Sequence, residues 1–179
     1  MEHKLWFTYK ARIEAEARLR NNDLHSQVLL VWYAVVSAVF SIIAIRYPMF
    51  LGKDTDVISS ILSVALLAIS MLVANRDYRG RASAMQSNYI AIKKLYEEFK
   101  HDTNASQETV TRQYAALLNS IENHTPYDDR YARVFHGDKL TTRIPSNSEK
   151  FLLFLHLAFR LGTALVLYAA PVSLLMLRT

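Results

Sequence analysis

VLLVWYAVVSAVFSIIAI (residues 28–45) and VISSILSVALLAISMLVA (residues 57–74) contain no charged side chain. At 1.5 Å rise per residue each covers about 27 Å as a helix, close to the hydrocarbon thickness of a bilayer. A helix that is apolar all round has no face to offer water, and two in tandem have none between them. The connecting residues 46–56 carry Pro48 and Gly52 and are too short to hold a domain. The pair reads as a transmembrane helical hairpin with a turn at 46–56.

Working outward, residues 1–27 precede the hairpin. They are too long and too acidic for the start of a signal peptide. Leu5 to Leu24 reads as a helix with Trp6, Tyr9, Ile13, Ala17 and Leu24 near one face, and with Glu14/Arg18 and Glu16/Arg20 as i,i+4 pairs. Nothing breaks it before Val28, so the expectation is one helix running from water into the membrane. Downstream, Met85, Tyr89, Ile92, Tyr96 and Phe99 repeat at helical spacing. Val110, Tyr114, Leu117 and Ile121 do so again after a break at His101–Ser106. These two segments are expected to fold back as an α-hairpin. Residues 123–149 hold Pro126, Gly137 and Pro145 and read as irregular. The last stretch, 151–177, is again apolar but is interrupted by His156 and Arg160 and contains Pro171; a third span is expected there.

The fold class is therefore an all-α membrane protein. It has an N-terminal helix continuous with a transmembrane hairpin, a cytoplasmic α-hairpin and a C-terminal apolar helix. The 179 residues are read as a single domain. Its parts are 1–27 cytoplasmic, 28–45 and 57–74 spanning, 75–150 cytoplasmic and 151–177 spanning. Lysines and arginines between Lys4 and Arg20, and Arg76, Arg79 and Arg81 after the hairpin, outnumber Arg46 and Lys53 in the turn. The positive-inside bias puts the N-terminus and the long polar segment in the cytoplasm. That orientation makes the glycosylation-like triplets Asn104-Ala105-Ser106 and Asn123-His124-Thr125 chance matches.

The net charge of +5 is spread thinly, and no run of like charge suggests a nucleic-acid footprint. There is no cysteine, which excludes disulfides and thiolate metal sites. The six histidines are scattered without metal-ligand spacing, and no phosphate loop, nucleophile elbow or zinc-protease motif occurs. Glu97-Glu98 and Asp128-Asp129 are adjacent in sequence, so their carboxylates diverge; arginine partners or solvated faces are expected of them. The chain is read as non-enzymatic, with no cofactor and no metal.

Three groups are candidates for function. Ser37 and Ser41 in the first span, with Ser59, Ser63 and Ser70 in the second, form small polar stripes that suit either close helix packing or the lining of a pore. Arg160 is costly within an apolar helix and should face water, a carboxylate or a pore. Arg79 and Arg81 beside the membrane, and Tyr127, Arg130, Tyr131 and Arg133 in the irregular segment, combine cations and aromatics that suit phosphates and bases. Positive-inside anchoring and ion pairing explain the same residues without a ligand.

KARIEAEARLR (residues 10–20), the hairpin, NRDYRGRASAMQSNYIAIKKLYEEF (75–99) and SIENHTPYDDRYARV (120–134) together resemble the SLATT superfamily of SMODS- and SLOG-associating two-transmembrane effectors, most of all its family 5. The likeness runs over nearly the whole chain, and Asn123-His124 with Asp128-Asp129 is its most family-like short motif. The resemblance implies a bacterial anti-phage effector of abortive-infection type in the inner membrane. Such a protein oligomerises to permeabilise that membrane, under control of a nucleotide-signal synthase or SLOG-type sensor and its cyclic oligonucleotide. The family supplies no catalytic residues, and the 151–177 stretch departs from its two-span pattern. The competing reading is a passive anchor or adaptor that recruits a cytoplasmic enzyme. Overexpression toxicity separates the two.

Overall fold

The computed structural model describes residues 1–50, 52–101, 106–137 and 142–176, and side chains up to residue 173. Among the described residues six α-helices follow one another: α1 (Glu2–Arg46), α2 (Thr55–Asn75), α3 (Tyr78–His101), α4 (Gln107–Asn119), α5 (Pro126–Phe135) and α6 (Asn147–Met176). No strand occurs among the described residues. The Asn104 triplet and the end of the expected third span at residue 177 lie outside the described residues.

The chain divides into two units: Met1–Asn22 with Tyr78–Leu157, and Asp23–Asp77 with Ala158–Thr179. The second unit contains the apolar stretches. Helices α1, α2 and α6 are each long and apolar enough to cross a membrane, and their apolar windows are almost wholly unburied within the protein. Val31, Ile42, Ile61, Val64, Leu67, Leu165 and Val166 all point outward. An apolar surface of this extent needs hydrocarbon or another apolar surface against it. Between α1 and α2, the Thr55 hydroxyl donates to the Gly52 carbonyl at 2.7 Å, and Gly52 adopts φ 96°, which suits a residue without Cβ. Helix α2 stops where Asp77 takes φ 43°, a conformation that aspartate tolerates better than most residues.

Pro171 lies inside α6 and removes one amide donor, which leaves the carbonyl four residues back without its helical partner. That carbonyl belongs to Leu167, and the Tyr33 hydroxyl of α1 donates to it at 2.9 Å. The neighbouring Tyr168 carbonyl accepts from Trp32 Nε1 at 3.1 Å. The Tyr33 hydroxyl thus supplies what the proline takes away, and Trp32 adds a second tie between α1 and α6.

The first unit packs the N-terminal part of α1 with α3, α4, α5 and the start of α6. Its apolar core is Leu5, Ile92, Leu95 and Val110, with Tyr9, Tyr96, Phe99, Tyr114 and Leu117 against them. Helices α3 and α4 pack on each other as expected. Two expectations are corrected here. The buried face of α1 is Leu5, Thr8, Ala11, Arg12, Ala15 and Leu19, whereas Ala17 and Leu24 of the expected face are exposed. In α3 the stripe runs Ala82, Met85, Asn88, Ile92 and Leu95, so Tyr89, Tyr96 and Phe99 lie at its edge. A polar residue stands at the centre of each true stripe and hid it.

The segment 123–149 is a further correction, because it contains a helix. Thr125 caps α5, its side chain accepting from the Asp128 amide while Asp128 accepts from the Thr125 amide, and Pro126 occupies the first turn. Proline is well suited there, since the first-turn amides have no helical acceptor.

Candidate functional site

Arg12 is completely buried at the centre of the first unit. Its Nη1 donates to Asn88 Oδ1 and, at 3.3 Å, to the Leu117 carbonyl. Asn88 is held in turn: its Nδ2 donates to the Leu117 carbonyl at 2.7 Å and to Ser120 Oγ at 3.0 Å. Every acceptor around the guanidinium is neutral. Arg12 Nε and Nη2 are buried without a hydrogen-bond partner. Burial accordingly pulls the Arg12 pKa down, and the nearby Tyr114 only partly offsets this. A buried cation without a carboxylate is costly, and here two of its donor nitrogens are unmet.

Arg18, Arg20, Arg81, Arg133 and Arg143 of this unit are, by contrast, paired with carboxylates. Asp128 is fully buried and takes Arg18 through both oxygens, at 2.7 and 3.1 Å. Arg18 therefore leaves the expected Glu14 pair, and Glu14 Oε1 lies 3.1 Å from His136 Nδ1 instead. The other expected pair, Glu16 with Arg20, forms. Asp129 meets Arg133 at 3.1 Å and Arg143 at 3.0 Å. Arg133 also holds Glu149, which with the Ser146 amide lowers the Glu149 pKa to about 2. Both carboxylates of the Asp128-Asp129 pair are thus arginine partners.

A cavity of about 210 Å³ opens in this unit, lined by Lys4, Phe7, Thr8, Tyr114, His124, Asp129 and Arg143. The Thr8 and Tyr114 hydroxyls share a hydrogen bond of 2.7 Å, and the Arg143 guanidinium stacks 4.9 Å from the Phe7 ring. His124 Nδ1 is buried and unpartnered. Burial first, and then the charge of Arg12, lower the His124 pKa. The cavity wall therefore presents donors and cations in excess of acceptors.

None of the six residues expected from sequence to bind a ligand lines this cavity. Arg79 is exposed on α3. Arg81 makes a two-pronged contact with Glu122, both bonds 2.8 Å. Tyr127 stacks 4.5 Å from His156, Tyr131 lies 4.6 Å from Phe135, and Arg133 is spent on its carboxylates. Arg130 is half-buried with Nε unpartnered. The cavity residues come from distant parts of the chain, and the motif of Asn123-His124 with Asp128-Asp129 pointed toward two of them, His124 and Asp129.

In the second unit, Ser41 donates to the Ser37 carbonyl, Ser63 to the Ser59 carbonyl and Ser70 to the Leu67 carbonyl. These hydroxyls are satisfied by their own helices. Ser59 Oγ is buried without a partner, and Arg160 is half-buried in α6. Among the described residues, no cluster of three histidines or carboxylates could hold a metal ion.

Apolar helices of spanning length joined in one chain to a folded polar bundle define an all-α membrane protein. The model of the SMODS and SLOG-associating 2TM effector domain family 5 matches residues 1–177, and the chain belongs to that family. No curated protein and no solved structure matches it. The family description counts two spans, whereas this chain has three helices long and apolar enough to be one.

Proposed function

We propose that this protein is a membrane effector of a bacterial anti-phage system, which oligomerises in the inner membrane and permeabilises it when a nucleotide messenger or sensor partner acts on the first unit. The observation that carries the reading is the union of family membership with three helices whose apolar faces are unburied in the single chain. Such faces are available both to lipid and to further copies. The first unit supplies the regulated part, with its buried charge network and open cavity; a switch requires an element with two arrangements that the signal biases.

A passive anchor or adaptor is the second reading, favoured by one observation. The hydroxyls of Ser41, Ser63 and Ser70 are taken up by their own helices, so they do not need an aqueous path.

The test is membrane potential and dye entry in bacteria expressing the chain, beside Ser63→Leu and Arg160→Leu versions at matched protein levels. The effector reading expects loss of potential in the parent and a smaller loss in at least one variant. Full retention of potential, alone and with neighbouring signalling genes activated, overturns it in favour of the anchor.

A further inference from the structure

The cavity near Arg12 has a lopsided chemistry. Lys4 and Arg143 stand at its wall, and Asp129 is its one carboxylate. That carboxylate is already engaged by Arg133 and Arg143. His124 contributes a buried ring nitrogen with no partner. Thr8, also on the wall, precedes Arg12 by four residues on α1, so the two share a helix face. The field of Arg12 reaches the cavity, because it acts on His124. An arginine buried among neutral acceptors is a local excess of positive charge that no ion pair among the described residues neutralises.

We propose that this cavity binds a phosphate group, contacted by Lys4, His124 and Arg143 and held in the field of Arg12. A carboxylate has only two oxygens to offer, whereas phosphate spreads a larger charge over three or four acceptors and suits several converging donors. Size agrees. Pockets for drug-sized ligands run to about 300–1,000 Å³, so 210 Å³ admits the phosphate while the rest of a larger molecule stays outside. The assignment deepens the effector reading by naming where its signal acts. It rests on that reading only for its regulatory meaning.

The phosphate has two possible sources, a soluble phosphate compound or a lipid headgroup, and the experiment separates them. The full chain in neutral detergent is titrated with inorganic phosphate at constant ionic strength, and separately with micelles doped with phosphatidic acid; thermal unfolding is the readout. Lys4→Gln and Arg12→Met are measured alongside. A saturable rise in unfolding temperature with inorganic phosphate, weakened about tenfold or more in both variants, supports the site with a soluble ligand. A rise with phosphatidic acid alone, weakened in the same variants, supports it with a headgroup. No rise with either probe, or a rise that both variants keep, overturns it. Lys4 is exposed and outside the core, so Lys4→Gln decides the matter if Arg12→Met does not fold. A chain that binds phosphate yet preserves membrane potential overturns the leak reading alone, and the reverse pattern overturns this site alone.

Discussion

At the scale of single residues, the first unit holds two fully buried charges that are treated in opposite ways. Asp128 has four polar contacts: both prongs of Arg18, and the amide and hydroxyl of Thr125. Arg12 has neutral acceptors and two idle nitrogens. The first is a structural pin. Asp128→Ala should destabilise the solubilised protein by about 3 kcal/mol, because it strands a largely buried guanidinium and removes a helix cap. Lys93→Ala removes an exposed i,i+4 pair with Glu97 at 3.6 Å and should cost less than about 0.5 kcal/mol. Denaturant titration of both variants checks this; equal costs would show that the Arg18–Asp128 pair does not hold α5 in place. The Asp128 pin also explains why the Asn123–Asp129 stretch stood out in the sequence. Its residues cap a helix, bind arginines from two other segments and contribute His124 and Asp129 to the cavity wall.

At the scale of elements, the apolar runs were readable because hydrocarbon imposes one rule on every position from 28 to 45 and from 57 to 74. The faces of the water-side helices were not, because their stripes are broken at Thr8, Arg12 and Asn88, where periodicity counts a polar residue as exposed. Helix α5 was missed for a related reason: Pro126 reads as a breaker unless the Thr125 cap before it is seen as the start of a helix. Pro171 gives the converse lesson. It breaks nothing, because Tyr33 meets the freed Leu167 carbonyl from the neighbouring helix. Tyr33→Phe should therefore cost about 1 kcal/mol in the solubilised protein. Pro171→Ala returns an amide to that carbonyl, so the same Tyr33→Phe change made in a Pro171→Ala background should cost much less. A double-mutant cycle on unfolding midpoints measures the difference, and strict additivity would rule the compensation out.

At the scale of the whole molecule, what remains to be fixed is how many times the chain crosses the bilayer. The family description counts two spans, and α1 and α2 supply them. Helix α6 is 30 residues long, so it extends about 45 Å, more than a bilayer core requires. From Ala158 on it belongs to the same unit as the hairpin, and its carbonyls at Leu167 and Tyr168 accept from α1 side chains within the apolar stretch. A helix lying on the membrane surface would keep one polar face; beyond Arg160, α6 has no charged residue up to its end at Met176. With three crossings and basic residues concentrated before the first span, the positive-inside bias predicts a cytoplasmic N-terminus and an external end of α6. Alkaline phosphatase, active only outside the cytoplasm, should be active when fused after Thr179 and inactive when fused after Phe135. Green fluorescent protein at the same positions should show the opposite pattern. An inactive phosphatase at both sites would return α6 to the cytoplasmic side, and the exposed row of Phe159, Leu161, Leu165 and Val166 would then need a protein surface in place of lipid.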